Sequence, residues 1–234
     1  MAGMAYKTLH NSLVFYDADY EHRWVDAYGP NVRKYDLVNA YHPDSATVTA
    51  VSGGAGDSAI TGLASSQGGG WVFTSDDAEN DGIQMQAKGE AFFFGGPYPA
   101  YFGARFKVND ADESDAFLGF AIQDTSICAG CTDDIGFRIV DGAASLTFVI
   151  EKDNGETIKA ISTVVDDTYQ TVEFLYDGAK VTYYLNGVEE GSLSINLENF
   201  PDDEHLAPAI AYLTGDASAN ILTVKWARWI QILE

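Results

Sequence analysis

The chain has 234 residues, of which 46% are hydrophobic and 13% aromatic, so it can bury a large core and is not a disordered polypeptide. Thirteen basic residues face 35 acidic ones, for a formal net charge of −22. A surface this negative repels phosphate backbones and anionic lipid head groups, so we expect neither nucleic acid nor a membrane as partner. The N-terminal residues have no charged segment followed by an apolar one, so we expect no signal peptide. No apolar run reaches the roughly 18 residues of a membrane span.

The first 70 residues have little periodicity, and residues 50–70 are rich in Gly, Ser and Ala. This composition fits a flexible linker after an N-terminal arm. It also fits two edge strands, at 46–51 and 58–63, with glycines at the loop tips. We predict an extended, irregular N-terminal arm over residues 1–45 and one β domain over 46–234. Such an arm orders against a neighbour, so its removal is expected to abolish assembly and leave the domain folded.

From residue 71 onward, short segments rich in aromatic and β-branched residues are separated by turn signals at roughly 8–12-residue spacing. In 101–108 the apolar side chains alternate cleanly, with Phe102 and Phe106 on one face and Tyr101 and Arg105 on the other. The last segment, 220–233, is predicted to place its alternating apolar side chains on one face: Leu222, Val224, Trp226, Ile230 and Ile232. The predicted strands are 101–108, 117–122, 135–140, 146–151, 157–164, 172–176, 181–185 and 220–233.

Four Asx-Gly pairs lie between these strands, beginning at Asp141, Asn154, Asp177 and Asn186. Tight hairpins need positive φ at their central residues, which Asn, Asp and Gly tolerate best. The only helix candidate is a single turn at 202–206. The sequence therefore predicts an all-β fold, a two-sheet antiparallel sandwich or jelly roll.

Two cysteines form a C-x-x-C motif, Cys128 and Cys131. A redox motif of this kind belongs at a helix N-terminus, whereas these flanks look strand-like and Asp133 and Asp134 would raise the thiol pKa. A zinc site needs about four ligands, and no second pair is present. We interpret the pair as ordinary loop thiols or a local disulfide.

The acidic residues concentrate in loops, where they are interpreted as solvating turns. Glycoside hydrolysis would need two carboxylates across a cleft, and no predicted strand carries more than one, at its end. Residues 77–82 loosely match the opening of a calcium loop, but Lys88 stands where the bidentate acid is expected, so only an irregular calcium site stays open. The acidic runs are 76–77, 110–115, 133–134, 166–167 and 202–203.

Nothing in the chain resembles a nucleophile elbow or a phosphate loop, and three of the four histidines precede residue 43. Sugar binding would need exposed aromatic platforms, although an aromatic in a sandwich is more often core. We therefore assign no catalytic, cofactor-binding or metal residues. The histidines are His10, His22, His42 and His205, and the candidate platforms are Trp71, Tyr98, Tyr101, Tyr183 and Tyr184.

Several strands resemble the concanavalin-A-like (laminin-G-like) jelly rolls of tailed-bacteriophage virion structural proteins. The motifs are YFGARFKV at 101–108, DAFLGFAI at 115–122, DIGF at 134–137 and LNG at 185–187. The resemblance covers residues 71–234 and implies the same fold. Glycanase members of that fold would supply paired acids on one strand, and lectin members a metal loop, and neither pattern is matched here.

The resemblance implies a non-enzymatic virion structural protein, a capsid decoration or head-associated protein. It would dock on the major capsid protein or other virion proteins, form a homo-oligomer, need no cofactor, and be assembled in the host cytoplasm. The alternative is a carbohydrate-binding module that attaches to glycans.

Overall fold

The computed structural model describes residues 3–37, 46–51, 58–63 and 69–233. These ranges form a small three-stranded antiparallel sheet and two eight-stranded antiparallel sheets packed face to face. One short helix is present, α1 (Ile127–Gly130), and no helix in the described residues is long and apolar enough to cross a membrane. The prediction of an all-β sandwich is confirmed.

The small sheet, here called the meander, consists of β1 (Met4–Leu9), β2 (Ser12–Asp17) and β3 (Tyr20–Tyr28) in sequence order. A two-residue turn at His10 and Asn11 joins its first two strands, and both residues have positive φ (46° and 60°). Sequence analysis missed this hairpin because its turn lacks the usual glycine.

The front sheet runs in the order β17-β16-β15-β10-β19-β7-β6, and β4 also pairs with β19. Its strands are β4 (Val32–Asp36), β6 (Ala59–Gly62), β7 (Trp71–Thr74), β10 (Ala100–Val108), β15 (Gln170–Tyr176), β16 (Lys180–Leu185), β17 (Val188–Ser194) and β19 (Ile221–Ile232).

The back sheet runs in the order β14-β13-β12-β11-β18-β8-β5, and β9 also pairs with β18. Its strands are β5 (Ala46–Val51), β8 (Gly82–Ala87), β9 (Phe92–Phe93), β11 (Ser114–Ala121), β12 (Asp134–Val140), β13 (Ser145–Lys152), β14 (Gly155–Thr163) and β18 (His205–Thr214).

The core lies between the two large sheets. The predicted alternation of β10 is confirmed: Phe102 and Phe106 are fully buried in this core, and Tyr101 packs on the opposite face of the strand. Phe102 contacts the rings of Phe120, Phe137, Phe174 and Trp229 at centroid distances of 5.3–6.3 Å. Aromatic burial of this extent contributes much of the stability of the sandwich.

The prediction of a single apolar face along β19 is wrong beyond Val224, because Leu222 and Val224 lie in the main core and Ile230 does not. Arg105 pairs with Trp226, but Phe106 pairs with Val224, so Lys225 forms a β-bulge. An extra residue reverses the inside-outside alternation beyond that point. Trp229 consequently enters the core, whereas Trp226 and Ile230 lie on the outer face of the front sheet.

The turns follow the Asx-Gly signals, with one shift. Asn186 and Gly187 form the predicted two-residue turn, with φ of 51° and 86°. In the β13–β14 hairpin the turn residues are Asp153 and Asn154, because Lys152 pairs with Gly155. The glycine there begins the next strand.

The N-terminal third is more regular than expected. Residues 4–36 form four strands in place of an extended, irregular segment, and the boundary at residue 45 lies outside the described residues. The interpretation of 46–51 and 58–63 as edge strands is confirmed, since β5 and β6 are the outermost strands of the back and front sheets. Residues 202–206 contain no helix and lead into β18.

Candidate functional site

The meander packs against the outer face of the front sheet. Val14, Trp24 and Ala27 on its inward side are buried against Tyr101, Ile230 and Ile232. The Trp24 and Tyr101 rings lie 6.1 Å apart and nearly parallel. This second, smaller core covers apolar side chains that would otherwise face water.

A buried ion pair joins the meander to the front sheet. The Arg23 guanidinium donates two hydrogen bonds to the Glu173 carboxylate, from Nε at 2.7 Å and from Nη2 at 2.6 Å. The Tyr101 hydroxyl donates to the same carboxylate at 2.9 Å, and His22 Nε2 lies 3.4 Å from it. Glu173 is fully buried, so these groups replace the water that its carboxylate has lost.

The pKa values follow from this arrangement. Burial alone would raise the pKa of Glu173, but hydrogen bonds from His22 and Arg23 outweigh burial and hold it below its usual value. Burial, reinforced by the charge of Glu173, raises the pKa of Tyr101 well above that of a free tyrosine. Glu173 is therefore an ionised structural carboxylate.

The outward face of the meander is aromatic and exposed. Met4, Tyr6 and Tyr28 keep 67%, 69% and 57% of their surface accessible. The Phe15 ring lies between the two tyrosines, 6.3 Å from that of Tyr6 and 6.0 Å from that of Tyr28. We call Met4, Tyr6, Phe15 and Tyr28 the aromatic face. The sequence offers one signal for a strand here, the apolar run of residues 13–16, but none for the exposure of its side chains.

A groove of about 410 Å³ runs from the aromatic face to the front sheet. Its apolar lining comes from the meander, and its charged lining comes from two carboxylates and one guanidinium. The lining residues are Met4, Phe15, Val25, Asp26, Tyr28, Asp36 and Arg228. An exposed cluster of apolar rings rimmed by charged groups is typical of a surface that another molecule covers.

The back sheet carries the densest cluster of carboxylates. Asp134 pairs in register with Glu151, and Glu151 pairs with Glu156, so three neighbouring strands place their acids in one row. Arg138 donates to all three, to Asp134, to Glu151 at 2.5 Å and to Glu156 at 3.0 Å. The interpretation of Asp134 as a loop acid that solvates a turn is wrong, because it lies in β12 and is fully buried.

Burial raises the pKa of Asp134 to about 7, against the opposing charge and hydrogen bond of Arg138. Its Oδ1 atom has no hydrogen-bond partner. Sequence reasoning missed the row because each strand contributes a single acid and only the register aligns them. The guanidinium neutralises carboxylates that acid–base chemistry would need free, so the row is a salt-bridge network.

Cys128 and Cys131 line a pocket together with Arg138, Glu151 and Glu156. They are free thiols, and the flanks are helical where strand was expected, because Cys128 lies within α1. Burial raises the pKa of Cys131 to about 12 and raises that of Cys128 further above its usual value. Thiols in this state are poor nucleophiles and poor metal ligands.

The acidic side chains of the candidate calcium loop, residues 77–82, do not lie together. Asp81 is fully buried, whereas Asp77 and Glu79 are exposed. Throughout the described residues, no three His, Cys, Asp or Glu side chains approach closely enough to hold a metal ion. Other loop acids make local contacts: Asp166 accepts from the backbone N–H of Ala111, and Asp202 pairs with Lys152 at 2.7 Å.

Most of the candidate sugar platforms are packing residues. Tyr101 and Tyr183 are buried, and Trp71 is half-buried against the main core. Tyr184 stacks on His22 at 3.6 Å, so the meander occupies its face. Tyr98 stays half-buried in the Gly/Pro-rich loop 95–99. Of the other histidines, His10 lies in a turn, His205 stacks on Phe93, and His42 lies outside the described residues.

No family model matches the sequence, and no curated protein sequence matches it closely. Solved structures do resemble it. A β-1,3-glucanase from Mycobacterium marinum is 13% identical over 86% of this chain and 99% of its own, with a TM-score of 0.58. The Emp47p carbohydrate recognition domain is 7% identical over 85% and 96%, also at 0.58. A carbohydrate esterase from the Shiga toxin-encoding bacteriophage phi24B is 11% identical over 87% and 100%, at 0.52.

The fold is a concanavalin-A-like jelly roll. Structural likeness at TM-scores of 0.52–0.58 establishes this architecture, and identities of 7–13% establish nothing about activity. Its neighbours include glucanases and a carbohydrate recognition domain, so the fold is compatible with carbohydrate binding.

Proposed function

We propose that this protein is a non-enzymatic structural protein that docks on another protein through the aromatic face of its meander. The observation that carries the proposal is the exposure of Met4, Tyr6 and Tyr28 on a sheet whose opposite side is firmly packed. Aromatic and methionine side chains are enriched at protein interfaces, where their burial supplies much of the binding free energy.

The assembly that this protein joins is, in our proposal, a virion. The partner is the major capsid protein or another virion protein, and assembly as a homo-oligomer takes place in the host cytoplasm. Support comes from the resemblance of strands 101–108 and 115–122 to those of phage structural proteins. A bacteriophage protein among the structural neighbours adds that the fold occurs in such viruses.

The proposed absence of catalysis is supported by the state of the acids. Glu173 is buried beneath the meander, and the guanidinium of Arg138 binds Asp134, Glu151 and Glu156. A retaining or inverting glycosidase needs one carboxylate free to attack or activate water and a second free to donate a proton.

A carbohydrate-binding module is the second candidate. The fold likeness to a carbohydrate recognition domain and to glucanases favours it. Tyr98, half-buried in its rigid loop, is the aromatic platform that remains for a sugar ring.

A mass-spectrometric inventory of purified particles tests the proposal. We expect the chain at a fixed stoichiometry relative to the capsid protein. Its absence from particles, together with saturable binding on a glycan array that Tyr98→Ala abolishes, would overturn the proposal in favour of the second candidate.

A further inference from the structure

The outer face of the front sheet carries a concentration of positive charge beside the meander. The cationic groups of Arg105, Lys107 and Lys225 lie 5.3, 5.6 and 5.5 Å from the centroid of the Tyr169 ring. Arg228 continues the group, 5.0 Å from the ring of Trp226. We call Arg105, Lys107, Lys225 and Arg228 the cationic strip.

This clustering stands out against the composition. The chain has only 13 basic residues and a net charge of −22, yet four of those residues gather on one sheet face. Like charges this close repel one another. The cation–π attraction to the rings offsets this repulsion by only about 0.5–1 kcal/mol per exposed cation. A surface arranged in this way has a residual attraction for anions.

Internal carboxylates neutralise the strip only in part. Lys107 pairs with Asp167, and Arg228 lies 3.7 Å from Asp36. Arg105 is exposed and donates to the Thr171 hydroxyl at 3.1 Å, with no carboxylate of the described residues within ion-pair distance. A planar guanidinium whose donors remain exposed suits a carboxylate from outside.

The strip is continuous with the aromatic face. Arg228 lines the same groove as Met4, Phe15 and Tyr28. A partner that covers the aromatic face would therefore reach Arg228 and, through Trp226, the cations around Tyr169. Apolar anchors beside a charged rim are the usual composition of a protein interface.

We propose that the cationic strip receives carboxylates from an acidic surface of the docking partner. This inference rests on the proposed docking function and adds the chemistry of the partner. A protein surface fits better than an acidic glycan, because cations already engage the rings of Tyr169 and Trp226, which leaves little free aromatic face for a sugar. At physiological salt the Debye length is about 8 Å, so the strip acts locally despite the negative charge of the whole molecule.

The test measures binding of the full chain to poly-L-glutamate, with polygalacturonate as the glycan probe, across a salt series. The variant is Arg105→Glu/Lys107→Glu. The matched control is Lys159→Glu/Lys180→Glu, which changes the net charge equally at exposed positions on β14 and β16. We expect the strip variant to weaken poly-L-glutamate binding by about tenfold or more and the control by less than about threefold.

Equal losses in both variants would show a net-charge effect and overturn the proposal, as would the absence of binding to poly-L-glutamate. Tighter binding of polygalacturonate would favour a glycan and also overturn it. Docking is tested separately, by the association of Tyr6→Ser/Tyr28→Ser with particles. Full association of that variant, while the strip variant loses poly-L-glutamate binding, would overturn docking through the aromatic face and leave the anion-binding surface standing.

Discussion

Arg23 on the meander and Glu173 in the middle of the front sheet form a bidentate ion pair, at 2.7 and 2.6 Å, with the carboxylate fully buried. The pair joins two parts of the chain 150 residues apart. It makes the meander an integral part of the folded domain.

Removal of one partner should be strongly destabilising. Arg23→Met leaves a buried carboxylate without its main counter-charge, and we expect a loss of about 3–5 kcal/mol in the free energy of unfolding, measured in urea. The double variant Arg23→Met/Glu173→Leu should lose clearly less than the two single variants combined. Additive losses would show that the two side chains are not energetically coupled.

The same carboxylate predicts acid sensitivity. The pKa of Glu173 in the folded state lies below its unfolded value, so its contribution to stability is present above the unfolded pKa and is lost as pH falls through the folded one. Glu173→Gln should therefore flatten the stability profile below about pH 4.5. If the free energy of unfolding of this variant in urea falls with decreasing pH as steeply as that of the wild type, this prediction is contradicted.

Asp134 predicts a dependence of opposite sign. Its folded pKa of about 7 exceeds the ordinary aspartate pKa of 3.8, so its contribution to stability is present below the unfolded pKa and is lost as pH rises towards 7. The stability of Asp134→Asn relative to wild type should therefore increase between pH 4 and pH 7 and stay constant above. Parallel unfolding profiles for the two proteins across this range would refute a raised pKa.

The thiols should be slow to react in the native protein. Burial raises the pKa of both Cys128 and Cys131, so little thiolate exists at pH 8. Ellman's reagent should modify the unfolded chain promptly and the native chain at least about tenfold more slowly. Immediate modification of both thiols under native conditions would exclude this environment.

Deletion of residues 1–45 should damage the domain itself. The sequence alone led us to expect a folded remainder. The contacts of the meander and β4 lead us to the opposite prediction, because the deletion removes β4 from the front sheet and exposes Tyr101, Ile230 and the unpaired Glu173. We expect a lower midpoint in thermal unfolding and increased binding of a hydrophobic dye. A truncated protein as stable as the full chain would restore the detachable-arm interpretation.

The sequence predicted the sandwich well because strand alternation and Asx-Gly turns are local signals, as β10 and the Asn186 turn illustrate. The prediction from sequence failed where the position of a side chain depends on which residues pair between strands. The bulge at Lys225 exchanges the faces of Trp226 and Trp229, and no local pattern marks it. The row formed by Asp134, Glu151 and Glu156 likewise exists only through the register of three strands.

The aromatic face was similarly invisible in the sequence, since Tyr6 and Phe15 look like any alternating strand residues. Only the packing of the meander shows that Val14 and Trp24 face the sandwich while Tyr6, Phe15 and Tyr28 face outward. The exposure of a side chain is a property of tertiary structure, so it could not be predicted from the composition of these strands.

The most direct test of the account is the recovery of Tyr6→Ser/Tyr28→Ser with purified particles. Both side chains are exposed, so stability should change by less than about 1 kcal/mol. The matched control is Ile158→Ser/Val188→Ser, which removes two exposed apolar side chains from the large sheets. We predict that the control co-purifies with particles as wild type does and that the meander variant, although folded, is lost from them. Full recovery of the meander variant would contradict docking through the aromatic face.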